Sequence, residues 1–73
     1  MAEIKFEIKK EFGVIGEGSK GWTKQLNLVS WNGKEAKYDI RDWDENQKKM
    51  GKGITLTREE AQKLKELLIK ILK

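Results

Sequence analysis

An α+β fold, four strands followed by one helix, is what this sequence predicts, and three observations carry the prediction. Apolar and charged residues alternate with a period of two from Ile4 to Ile8. Two strand-like runs flank the turn dipeptide Asn32-Gly33. A short strand-like run, Ile54 to Thr57, leads into the capping pattern Thr57-Arg-Glu-Glu60 and a leucine-rich C-terminal segment.

The first strand places Ile4, Phe6 and Ile8 on one side, with Phe12 and Val14 continuing it after a break at Lys10; Gly13 marks a bulge or bend. Gly16 to Gly21 reads as a flexible loop. Trp22 to Trp31 and Lys34 to Trp43 read as a hairpin. A two-residue loop at Asn32-Gly33 would set Leu28 against Lys37 and expose the apolar residues. A three-residue loop, Trp31-Asn32-Gly33, sets Leu28 against Ala36 and Leu26 against Tyr38, and the hydrophobic pattern selects it. Asp44 to Lys52 is polar and lysine-rich, hence a loop. The helix is expected from about Arg58 to Leu72.

Seventy-three residues form one domain, 1–73, and so small a domain is marginal unless something staples it. With no cysteine, disulfides and thiolate metal sites are excluded; with no histidine, so are the commonest metal ligand and general base. Neither a cofactor nor a metal is expected. On the helix, Ala61, Leu64, Leu67, Leu68, Ile69, Ile71 and Leu72 span roughly 200° of circumference, so either the sheet curls around the helix in a well-wrapped monomer or a second chain covers the rest. A homodimer sealed by Leu64, Leu67, Leu68, Ile71 and Leu72 is the expected staple. Nothing resembles a secretory signal, and the longest apolar cluster, Leu67 to Leu72, is too short to span a bilayer. The expected location is the cytoplasm, on the nucleoid or free of it, with no membrane partner.

Catalysis is not expected. Gly16-Glu-Gly-Ser-Lys-Gly21 lacks the spacing of a phosphate-binding loop and the helix that should follow it, and alternation separates Asp39 from Asp42. The hairpin's odd positions are more informative. Thr23, Gln25, Asn27 and Val29 share a face with Lys37, Asp39, Arg41 and Trp43, and Trp31 stands at the tip. Lys34 and Lys52 flank this face, and Lys48 and Lys49 follow in the loop. A net charge of +4 suits a polyanion. Tryptophans set among cations on an open sheet suit single-stranded nucleic acid, where bases stack and lysines follow phosphates. The competing reading is that Trp31 and Trp43 close the edge of a core. Trp22, in phase with the even positions, belongs to the core.

Lys37-Tyr-Asp-Ile-Arg-Asp-Trp43, Met50-Gly-Lys-Gly-Ile-Thr-Leu-Thr57, the leucine-rich helix and the tip Val29-Ser-Trp-Asn-Gly-Lys34 together resemble the C-terminal domain of the transcriptional positive cofactor four family. The compact length and Gly21-Trp-Thr-Lys-Gln-Leu-Asn27 are similar to its short bacterial, YdbC-type members. The resemblance implies a curved antiparallel sheet followed by a helix, and a two-fold dimer with its sheets facing outward. It implies binding of single-stranded DNA, largely independent of sequence, and a role either in transcription, as a coactivator with the transcription machinery as a further partner, or in handling unwound DNA. Trp31 and Trp43 then correspond to stacking aromatics, and Lys24, Lys34, Arg41, Lys52 and one of Lys48 or Lys49 to phosphate contacts. Single-stranded RNA is the alternative ligand, and a protein docked on the open sheet is the alternative of a different class.

Overall fold

The computed structural model describes residues 5–72. Four strands run in the order β1 (Phe6–Glu17), β2 (Thr23–Trp31), β3 (Lys37–Trp43) and β4 (Met50–Leu56), and α1 (Arg58–Ile71) closes the chain. Each strand is antiparallel to its neighbour in one open four-stranded sheet. The expected architecture is therefore present; Ile4, which opens the sequence alternation, lies outside the described residues.

The turns follow local sequence. Lys20 and Gly21 take positive φ (57° and 79°), and the Trp22 amide donates to the Ser19 carbonyl, closing a tight turn where a loose loop was expected. Asn32 and Gly33 (φ 53° and 74°) form the same type of turn, closed by the Lys34 amide donating to the Trp31 carbonyl. The hairpin register nevertheless differs from the expected one. Leu28 pairs with Tyr38 and Leu26 with Ile40, because the chain does not rejoin the sheet until Lys37. The slip is two residues, so every side chain keeps the face the sequence assigned to it.

β1 carries irregularities between Ile8 and Lys10, Glu11 and Gly13, and Val14 and Gly16. They break the single apolar face expected of this strand. Phe6 pairs with Trp31 on the odd face, whereas Phe12 stacks on Tyr38 of the even face, ring centroids 5.9 Å apart. Bulges sharpen twist and bend a strand, and this sheet curls toward its odd face. The Phe6 ring reaches Trp43 at 5.2 Å although β2 separates their strands. β4 begins earlier than expected, at Met50. At Gly53, paired with Arg41, a side chain would collide with the Arg41 Cβ and the Ile40 carbonyl, so glycine is what lets β4 approach β3.

The helix begins as its sequence dictates. The Thr57 hydroxyl accepts from the Glu60 amide at 3.1 Å, and the Glu60 carboxylate accepts from the Thr57 amide at 2.8 Å. The Thr57 amide first, and then the Thr57 hydroxyl, hold the Glu60 carboxyl below its usual value. Glu59 and Glu60 in the first turn and Lys70 in the last complement the helix dipole. Packing is another matter, for no residue of α1 is buried. Ala61, Leu64 and Leu68 face Leu26, Tyr38 and Ile40 across an open apolar groove of about 440 Å³. Leu67, Ile69, Ile71 and Leu72 remain 48–72% exposed. The radius of gyration, 13.2 Å, exceeds the roughly 11 Å expected of a compact chain of this length.

Candidate nucleic-acid interface

The buried centre of this chain lies on the odd face of the sheet, away from the helix. Val29, Asn27, Asp39 and Trp43 are each at most 1% exposed. Curvature explains it: the sheet folds its concave face over these residues, and Phe6 lies between Trp31 (5.9 Å) and Trp43 (5.2 Å). The indole Nε1 atoms of Trp31 and Trp43 are buried with no hydrogen-bond partner among the described residues, so packing holds both rings. Apolar rings thus roof a polar floor.

That floor is satisfied internally. Gln25 Nε2 donates to the Thr23 hydroxyl (2.9 Å), and Gln25 Oε1 accepts from Asn27 Nδ2 (3.1 Å) and Gln47 Nε2 (2.8 Å). Arg41 grips Asp39, with Nε at 2.9 Å from Oδ1 and Nη2 at 3.0 Å from Oδ2. Arg41 Nη1 donates to the Gly51 carbonyl at 3.3 Å, and the guanidinium carbon lies 4.8 Å from the centre of the Trp31 ring.

These placements sort the expected site residues. Trp31 is half-buried at the rim, beside an open cleft of about 420 Å³ lined by Lys34, Glu35, Lys37, Arg41, Met50 and Thr55. Lys34 and Lys37 are exposed there. Trp43, expected as an exposed ring, is fully buried, because Phe6 reaches it across the curl. Arg41, expected as a free cation, is turned inward onto Asp39. Lys24 pairs with Asp42 and shares the even face with Leu26 and Ile40, away from Trp31. Lys52 is exposed at the β3–β4 irregularity. Lys48 and Lys49 are exposed in the loop after β3, their amides donating to Asp44 Oδ1 at 2.8 and 3.2 Å. Desolvation pushes the Asp44 carboxyl up, but the amides of Lys49, Lys48 and Asn46 and the Lys49 charge outweigh it, and its pKa falls below the usual value. Trp22 is half-buried and lies over Gly51.

Two members of the site, and the pairing of Asp39 with Arg41, escape the sequence reading. Phe6 could not be assigned to the concave face without the β1 register. Met50, in the polar lysine-rich stretch that the sequence marks as loop, opens β4. Asp39 was legible: an Asp-x-Arg pair within a strand puts carboxylate and guanidinium on one face, within reach of each other.

Residues 18–67 match the family described as Transcriptional Coactivator p15 (PC4). The chain belongs to the PC4 family. It is also 42% identical over 66 residues to an uncharacterized protein of Treponema pallidum (strain Nichols), a match covering 90% of this chain and 78% of that one. PC4-family membership suggests single-stranded DNA binding and a coactivator role, in a family that binds nucleic acid and is not enzymatic. Among the described residues, no helix is long and apolar enough to cross a membrane.

Proposed function

We propose that this PC4-family chain forms a two-fold homodimer and binds single-stranded DNA across the rim of each curled sheet, without reading its sequence. One observation carries the reading. Trp31 stands half-exposed beside an open cleft that Lys34 and Lys37 also line. A base stacks on the indole, for about 1–3 kcal/mol, while Lys34, Lys37, Lys48, Lys49 and Lys52 take phosphates. Trp43 is packed against Phe6 and supports the curl. The floor's amides bond to one another, which suits binding that reads no base edge. Stacking and phosphate contacts serve RNA as well, so single-stranded RNA is the alternative ligand. The protein acts inside the cell on unwound nucleic acid, as a coactivator partner of the transcription machinery.

The second copy is argued from the helix. Among the described residues, nothing covers Leu64, Leu67, Leu68, Ile71 and Leu72 enough to bury any of them, and the apolar groove beside them is open. An exposed apolar surface of this kind in a small domain marks an interface, and it lies on the opposite side of the sheet from Trp31, leaving both rims free.

The test is a series of Trp31→Ala, Lys34→Ala and Lys37→Ala variants titrated with oligo-dT across a range of salt. Trp31→Ala is expected to cost about 1–3 kcal/mol with the salt slope unchanged. Each lysine variant should make the slope shallower by about 0.7. Binding indifferent to all three variants would show that the rim of the sheet is not the site.

A further inference from the structure

The sequence motif Asp-Ile-Arg41 offers a cation on the binding face, and a phosphate contact is the obvious role for it. Its geometry assigns it another. All three guanidinium nitrogens are engaged within the chain. Nε and Nη2 hold the Asp39 carboxylate in a forked pair, and Nη1 donates to the Gly51 carbonyl and lies 3.8 Å from the Met50 sulfur. The Asp39 side chain is wholly buried and that of Arg41 only 15% exposed. The guanidinium plane is thereby fixed from β3 and β4 together, and what it meets is the Trp31 ring, at 4.8 Å. The backbone is shaped around it as well, since Gly53 is the one residue type that fits opposite Arg41.

We propose that Asp39 and Arg41 form a strut that holds the Trp31 indole in its stacking position, so that Arg41 acts on single-stranded nucleic acid through Trp31 and not as a phosphate ligand. The inference rests on the reading of Trp31 as the stacking ring. It leads to an expectation that simple electrostatics reverses. Asp39 is a negative charge on a face that binds a polyanion, and its neutralisation should tighten binding if Arg41 were thereby freed for phosphate. With the strut, neutralising Asp39 releases Arg41 from its fork, unseats the indole and weakens binding.

Four proteins decide it: wild type, Asp39→Asn, Arg41→Lys and Arg41→Gln, labelled with 5-fluorotryptophan, the Trp31 resonance being assigned by Trp31→Phe. Oligo-dT affinity is measured across a salt series. The strut predicts that Asp39→Asn and Arg41→Lys each weaken binding by fivefold or more while the salt slope stays at the wild-type value, because the cost is that of a misplaced stacking ring, on the order of 1 kcal/mol or more. Arg41→Lys keeps the charge and loses the fork and the flat face. A phosphate-binding Arg41 gives the opposite pattern: Arg41→Lys nearly neutral, Asp39→Asn tighter, and Arg41→Gln shallower by about 0.7 in slope. That pattern overturns the proposal. The fluorine spectrum of the free protein separates this failure from failure of the nucleic-acid reading. A wild type that binds no single strand sinks that reading, yet the strut still requires the Trp31 resonance to shift in folded Arg41→Lys and Asp39→Asn. A Trp31 resonance unmoved by both substitutions overturns the strut whatever the protein binds. Should Asp39→Asn not fold, Arg41→Lys alone decides by the same three readouts.

Discussion

Replacing Trp43 with alanine separates two roles that the sequence alone left open. The side chain is fully buried, and Phe6 covers it at 5.2 Å. Emptying a site of this kind costs about 3–5 kcal/mol, through lost transfer energy and the cavity left behind. The tilted Phe6–Trp43 contact contributes about 0.5–1.5 kcal/mol of that through its ring geometry. For a domain of this size each kilocalorie corresponds to about 4–8 °C, so Trp43→Ala should melt at least about 12 °C below wild type. Trp31→Ala, at a half-exposed site, should melt much closer to wild type while losing more of the binding. Melting is followed by circular dichroism at one fixed protein concentration, because association raises apparent stability. Oligo-dT affinity is then read on the fraction still folded at low temperature. A Trp43→Ala variant that melts with wild type and has lost single-strand binding would refute the burial argument and restore Trp43 as a stacking ring.

Three further expectations follow from particular contacts. Leu68→Glu places a charge among the exposed apolar residues of α1 and should leave monomer or unfolded chain in sedimentation equilibrium, whereas a wild type that sediments as a stable monomer would contradict the dimer. Gly53→Ala forces a methyl group against the Arg41 backbone and side chain and should destabilise the fold by about 1–3 kcal/mol in urea melts; a neutral result would mean that β3 and β4 stand further apart. Glu60 has its folded pKa depressed, chiefly by the Thr57 amide and also by the Thr57 hydroxyl, so its stabilising contribution is complete above its ordinary value of 4.5 and is lost as pH falls through the lower folded value. The gap in melting temperature between wild type and Glu60→Gln should therefore narrow below pH 4.5, and a gap that widens on acidification would contradict the capping box.

What could be read from the sequence was local. Thr57 and Glu60 define the helix start because both halves of the cap lie within four residues. Asn32-Gly33 defines its turn because only residues tolerant of positive φ fit both central positions. The hairpin faces were right although the register was not: the detour over residues 34–36 shifts pairing by two, and two is the period of a strand. What escaped was non-local. The irregularities of β1 put Phe6 and Phe12 on opposite faces, and no alternation pattern reports a bulge until its partner strand is known. Trp43 is buried by a residue 37 positions earlier, across an intervening strand, which depends on curvature that the residues of β3 do not encode alone. Arg41 reads as a free cation when charge is counted along the chain, but Asp39, two residues away on the same face, takes that charge.

The central claim, that Trp31 and the rim lysines make a site for unpaired strands, is tested most directly by titrating the wild-type protein with single-stranded DNA, duplex DNA and single-stranded RNA of matched length and sequence, each over the same series of salt concentrations. Binding of single-stranded DNA should quench tryptophan emission and fall with salt at a slope of about −3 per subunit. Duplex should bind far more weakly, since paired bases cannot reach Trp31. Equal affinity for duplex and single strand, with emission unchanged, would contradict the account.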